Sequence, residues 1–133
     1  TYDAPANVAW GVDNRTVGLR VPAGDYHSRR IENRIPGADT NPYLSIALTF
    51  ACILLGIEEK IEPADPMVKE SDNLYTLPRN LDMALDNLDK AEKLKEVLGL
   101  DFISVFNEVK RAEAEAFLEV ISPWEREYLL LNV

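Results

Sequence analysis

From Tyr43 to Leu55 the chain reads Tyr-Leu-Ser-Ile-Ala-Leu-Thr-Phe-Ala-Cys-Ile-Leu-Leu, apolar on nearly every face once wound into a helix. Asn41-Pro42 opens it, with Asn as the N-cap and Pro at the first helical position. A helix without a polar face cannot be left in water, so it has to be buried in a core or between subunits. The longest apolar stretch, Tyr43 to Ile57, is too short to span a bilayer comfortably, and no signal peptide is visible. No membrane partner is expected.

Before this helix the pattern is extended. Asn7 to Val12, Arg15 to Val21 and Arg29 to Ile35 read as strands. The turn-prone pair Asp13-Asn14 separates the first two, and Pro22-Ala23-Gly24-Asp25 the last two. After the helix, Pro63, Pro66 and Pro78 among polar residues mark 61–79 as an irregular surface excursion. Leu81, Ala84, Leu85 and Leu88 then repeat at helical spacing, and a short helix ends at Gly99. Asp101 can cap a long helix from Phe102 to about Ile121, with Phe106, Val109, Ala112, Ala116, Phe117 and Val120 on one side. Ser122-Pro123-Trp124-Glu125 is a capping box that starts a last short helix. Strands first and helices after predicts an α+β fold, antiparallel strands followed by helices, whose sheet would present an exposed edge if it stood alone.

The chain has 133 residues and fits one compact domain. It starts at Thr1 without an initiator Met, so it is expected to be a piece of something longer. Net charge is −9, which argues against nucleic acid as a partner. Yet residues 1–36 hold Arg15, Arg20, Arg29, Arg30 and Arg34 against Asp3, Asp13, Asp25 and Glu32, a local excess of one positive charge inside an acidic protein. That cluster is a candidate anion site. The single cysteine, Cys52, cannot form an internal disulfide, which points to a reducing compartment; its apolar surroundings read as core. His27 is the one histidine, which excludes a self-contained multi-histidine metal site and most Ser-His or Cys-His triads.

Within the arginine-rich segment, Arg30, Glu32 and Arg34 sit two residues apart, with Ile31, Asn33 and Ile35 between. Alternation along a strand puts the three ionic groups on one face. Two readings fit. One is a surface ion-pair ladder. The other is a site holding an anionic phosphate and a divalent cation together, since arginine matches phosphate oxygens bidentately and a carboxylate is the hard ligand that Mg²⁺ or Mn²⁺ prefers. Arg15 and Arg20 have an odd separation and fall on opposite faces of one regular strand. Both serve one site if Arg15 sits in the turn after Asp13-Asn14, or if Gly18 marks a bulge.

Asp3-Ala4-Pro5, Asn14-Arg15-Thr16, Arg20-Val21-Pro22, Arg29-Arg30-Ile31-Glu32-Asn33-Arg34 and Ala38-Asp39-Thr40-Asn41-Pro42-Tyr43-Leu44 stand in an order and spacing that resemble the glutamine synthetase catalytic domain. The resemblance covers essentially all of the chain but only roughly the last third of a complete family member. Trp10 to Thr16 and Ser122 to Tyr128 look like the glutamate–polyamine ligase branch more than the ammonia-using enzymes.

The resemblance implies an ATP-dependent carbon–nitrogen ligase. It would join ammonia or a polyamine to the γ-carboxylate of glutamate through γ-glutamyl phosphate, with ATP and Mg²⁺ or Mn²⁺. It implies that Glu32 ligates the metal, that Arg15, Arg20 and Arg30 contact ATP, and that Arg34 faces glutamate and stabilises charge on the transferring phosphoryl group. Arg15, Arg34 and Asp3 would be the catalytic set. Asp3 falls where ammonia-using members carry a flap glutamate, and its shorter reach modestly favours a bulkier amine. Tyr75 falls near the tyrosine that some bacterial members adenylylate. The family further implies a cytoplasmic, ring-forming homo-oligomer whose C-terminal segment, here Leu129 to Val133, reaches another subunit. This chain alone would be inactive without the N-terminal part. The alternative from another class is a non-catalytic regulatory or assembly module derived from the same family.

Overall fold

The structure, a computed structural model, describes residues 5–68 and 76–132. The chain divides into two compact units, Thr1–Arg79 and Asn80–Val133.

The first unit is built on a three-stranded sheet of order β1-β2-β3, with β1 Trp10–Val12, β2 Leu19–Val21 and β3 Glu32–Asn33. The α+β order holds, but the strands are shorter than the alternation predicts and only one pair is antiparallel. β2 pairs with β3 antiparallel, whereas β1 pairs with β2 in parallel, Trp10 facing Leu19 and Val12 facing Val21. Parallel neighbours ordinarily need a long crossover. Here each strand is three residues, so the chain has only roughly 10 Å to travel back. Residues 13–18 manage that return. Asp13 adopts the left-handed region at φ +50°, and the Asn14 side-chain oxygen accepts from the Thr16 N–H and hydroxyl, both at 2.8 Å.

Asn7, almost fully buried, fastens the same loop. Its amide donates to the Thr16 carbonyl at 3.2 Å, and its oxygen accepts from the N–H groups of Ala9 and Gly18 at 3.1 and 3.3 Å. Within the loop, Val17 is fully buried. Gly18 is required by close approach: a Cβ there would stand 2.5 Å from the Asn7 carbonyl and 3.1 Å from Ile35 Cγ1.

The segment 61–68 is irregular, as its prolines foretell, yet it is not a free surface excursion. Met67 is buried; its N–H donates to the Trp10 carbonyl at 2.8 Å and its carbonyl accepts from Asn14 at 3.1 Å. The Trp10 indole donates to the Ala64 carbonyl at 2.6 Å, which makes Trp10 a packing residue.

α1 spans Pro42–Glu58, with the Asn41 side chain accepting from the N–H groups of Tyr43 and Leu44. Its start is as expected; its surroundings are not. Within this chain only Ala51 is buried, while Ile46, Phe50 and Ile57 are 55%, 65% and 71% exposed. Cys52, expected in a core, is exposed too, although partial burial raises its thiol pKa. A helix apolar all round needs more cover than a three-stranded sheet supplies. None of the helices among the described residues is long and apolar enough to cross a membrane.

The second unit is helical: α2 Leu81–Lys90, α3 Glu92–Leu98 and α4 Leu100–Leu118. Asn80 caps α2 through the Met83 N–H at 2.9 Å. Gly99, at φ +97°, separates α3 from α4, so α4 begins at Leu100 with Asp101 in its first turn and not as its cap. Its buried positions are Ile103 and Asn107, sharing with Leu85 of α2 a small core. The expected seam through Val109, Phe117 and Val120 is exposed. Arg111 of α4 reaches Asp86 and Asp89 of α2 at 3.0 and 3.1 Å. The Ser122 capping box forms in both directions: the Ser122 N–H donates to Glu125 Oε2 at 2.7 Å and the Glu125 N–H to Ser122 Oγ at 3.2 Å. A π-helical turn, Glu125–Leu129, and a 3₁₀ turn, Leu130–Asn132, follow it.

Gly18→Ala should lower stability by about 1–3 kcal/mol, because the Asn7 carbonyl is backbone and cannot swing aside. A shift in the unfolding midpoint measures it; an unchanged midpoint would remove the close approach from the account.

Candidate nucleotide- and metal-binding wall

The antiparallel register sets Arg20 of β2 directly opposite Glu32 of β3. Their side chains meet: Arg20 Nη1 donates to Glu32 Oε2 at 2.9 Å. The other carboxylate oxygen of Glu32 takes Arg30, with Nη2 at 2.9 Å and Nε at 3.1 Å. Glu32 therefore sits between two guanidinium groups, as the sequence predicts, but its second partner comes across the sheet and not from Arg34. The remaining terminal nitrogen of Arg20, Nη2, pairs with Asp13.

These contacts set the electrostatics. The hydrogen bond from Arg20, with a further one from Arg30, holds the Glu32 carboxyl below the usual carboxylate range against a partial desolvation that pushes it up. Reciprocally, hydrogen bonds to Glu32 and then Asp13 raise the Arg20 pKa further. Both members stay charged at neutral pH.

Arg34 is placed differently from the alternating triplet. Its backbone N–H extends the ladder to the Gly18 carbonyl at 2.8 Å, and its Nη1 donates to the carbonyls of Arg15 and of Val17. It thus braces the return loop from below. Arg15 lies within that loop and not in a strand, so the odd spacing of Arg15 and Arg20 is resolved by the turn. Its exposed side chain helps line an open cavity of about 610 Å³, together with Val12, Asp13, Asn14, Pro66 and Met67. Arg15, Arg20, Arg30, Glu32 and Arg34 are thereby gathered on and beside one small sheet. Asp3 and Tyr75 lie outside the described residues. His27 sits on an exposed 3₁₀ turn, edge-on to Tyr26 and away from these contacts.

Two residues that sequence reasoning did not single out hold the site. Asp13 is legible as part of a turn, but its pairing with Arg20 depends on the parallel return. Asn7 carries a weak signal, a side chain poor in β-propensity inside a strand-like run.

For a divalent ion the donor set is partial. Among the described residues no three His, Cys, Asp or Glu side chains come together. Glu32 alone offers a hard oxygen ligand between cationic groups. Mg²⁺ typically takes one or two carboxylates, with phosphate oxygens and water completing its shell. The arrangement fits a share of such a site, not a self-contained one. Chemically it presents N–H donors and one carboxylate to a polyanion, the pairing that phosphate recognition requires.

Comparison with known proteins bears on this geometry. Residues 1–129 match the family model for the glutamine synthetase catalytic domain. The chain is 40% identical over 136 residues to type-1 glutamine synthetase 2 of Dictyostelium discoideum, covering 97% of this chain and 26% of that protein. It is 37% identical to the γ-glutamylputrescine synthetase of Escherichia coli (strain K12), covering 96% and 28%, and 38% identical to a γ-glutamylethanolamide synthetase of Streptomyces coelicolor (strain ATCC BAA-471 / A3(2) / M145), covering 92% and 27%. Among solved structures, apo GmaS without ligand superposes with a TM-score of 0.78 at 31% identity, over 96% of this chain and 30% of that one. The chain thus spans between a quarter and a third of the length of these relatives. With the family model matched along nearly its whole length, this chain belongs to the glutamine synthetase family, in its catalytic domain.

Proposed function

We propose that this chain supplies the arginine-lined wall of an ATP-dependent glutamate–amine ligase. The observation that carries the proposal is Glu32 held between Arg20 and Arg30, beside a cavity that Arg15 helps to line.

A carboxylate is a poor electrophile because its leaving group would be an oxide. Transfer of the γ-phosphoryl group of ATP to a γ-carboxylate oxygen of glutamate makes an acyl phosphate and releases ADP. The amine nitrogen then attacks the acyl carbon, the bond to the phosphate oxygen breaks, phosphate departs, and the nitrogen loses a proton to give the amide. Charge neutralisation and alignment carry most of the catalysis in such phosphoryl transfer. Arg15, Arg20 and Arg30 orient and neutralise the nucleotide phosphates. Arg34 faces the glutamate and the transferring group, and it also steadies the loop that carries Arg15. Glu32 would hold Mg²⁺ or Mn²⁺ through one carboxylate oxygen, giving up a guanidinium contact. When bound, the ion neutralises phosphate charge and fixes phosphate geometry.

Activity requires more of the family fold, since no three metal-ligating side chains come together among the described residues and the chain spans only a share of its relatives. The same remainder, or further copies in a homo-oligomer, covers the apolar surface of α1. Ammonia and larger amines are alternative acceptors, since identities to relatives named for either differ by only a few per cent.

In the complete protein, ADP release should require glutamate, a divalent ion and an amine, with ammonium, putrescine and ethanolamine compared as acceptors. Release with none of them would overturn the ligase assignment in favour of a regulatory or assembly module. Arg34→Ala should lower turnover by at least about a hundredfold without unfolding the protein; near-native turnover would take Arg34 out of the mechanism.

Acid should dismantle the wall in a defined window. Glu32 has a folded pKa below its unfolded one, so the pair's contribution is complete above the unfolded value of about 4.3 and fades as pH falls through the folded value. Titration of the Glu32 carboxyl carbon by NMR should give a midpoint below that of a free glutamate, rising towards it in Arg20→Gln. A native midpoint at or above the free value would contradict the ion-paired geometry.

A further inference from the structure

Three features of Asp13 have no part in the function proposed above. Asp13 is a non-glycine residue in the left-handed region, at φ +50°, a conformation that costs free energy unless something retains it. Its carboxylate pairs with Arg20 from the side opposite Glu32. It also lies on the lining of the cavity beside Arg15.

Arg20 explains why such a residue is kept. Its side chain is mostly buried, and its Nε is buried without an acceptor among the described residues. Among the described residues no hydrogen bond at Nε therefore fixes the guanidinium plane. The plane is set by its two terminal nitrogens, one on Glu32 and the other on Asp13. If Glu32 turns towards a cation, Asp13 is the remaining anchor. Without Asp13, the unpaired Nε–H is free to seek another acceptor, and the group can rotate about its last bonds.

We infer that Asp13 is a positioning residue for Arg20, holding the guanidinium between itself and Glu32 so that it meets the phosphate chain of a nucleotide already oriented. The inference rests on the ligase reading of the same site and deepens it. Asp13 stands directly after β1, beside β2, its N–H donating to the Val21 carbonyl at 2.9 Å, which sets its short carboxylate within reach of Arg20. A neutral side chain would hold the guanidinium more weakly, because the hydrogen bond loses its charge assistance.

Two variants separate charge from backbone. Asp13→Asn keeps size and tolerance of the left-handed region, and Asp13→Gly removes the conformational cost altogether. In the complete protein both should raise the KM for ATP by about tenfold or more, the usual effect of losing a group that orients a binding residue. The KM for glutamate and the unfolding midpoint should stay near native. In an Arg20→Gln background the Asp13 changes should add nothing, because the group they orient is gone. Native ATP affinity in both variants, or an equal further loss in the Arg20→Gln background, would overturn the role of Asp13 and leave the ligase reading standing. A native protein that neither turns over nor binds Mg²⁺-ATP by calorimetry would overturn both.

Discussion

The cross-strand pair of Arg20 and Glu32 organises the first unit's chemistry. Two charges of opposite sign stand opposite one another because β2 and β3 are antiparallel in one particular register. A slip of one residue would send Glu32 to the other face. What fixes the register is polar and local: the Arg34 N–H on the Gly18 carbonyl, the Asn7 side chain on the Gly18 N–H, and Gly18 itself admitting the Asn7 carbonyl. The strands are too short to hold a register by apolar packing alone. A loop bound through its own polar groups replaces a hydrophobic core as the source of precision.

That economy has a counterpart in α1. The helix is apolar on every side and largely exposed within this chain. A monomer rarely leaves contiguous apolar surface of this kind in water, and covered interfaces are its usual explanation. The observation agrees with a chain that spans between a quarter and a third of its relatives' length. Binding elements formed by local hydrogen bonds and a helix formed by local capping take shape here, although α1 is largely exposed within this chain.

The legible parts of the sequence were those decided by nearby residues. Asn41-Pro42 and Ser122-Glu125 encode their caps within four residues, and both caps form as read. Alternation pairs Arg30 with Glu32, but the third member it names, Arg34, binds the carbonyls of Arg15 and Val17 instead. Partner identity was not legible, since Arg20 reaches Glu32 through strand register, which alternation does not encode. The parallel β1–β2 pair was hidden for a similar reason. Asp13-Asn14 signals a turn, but whether the chain then returns alongside or doubles back depends on Asn7 and Met67, distant in sequence. In the second unit the helices were readable, yet the buried positions of α4 are Ile103 and Asn107, the latter donating to Asp89 of α2, while apolar residues elsewhere on α4 stay exposed.

Glu32, held between Arg20 and Arg30, is either a metal ligand or an ion-pair partner alone. Mn²⁺ binding to the complete protein, followed by electron paramagnetic resonance, tests this most directly in native, Glu32→Gln and Arg30→Gln forms. Glu32→Gln should weaken one Mn²⁺ site by at least about tenfold while Arg30→Gln leaves metal affinity near native. Equal Mn²⁺ affinity in native and Glu32→Gln proteins would reduce the wall to a structural ion-pair ladder.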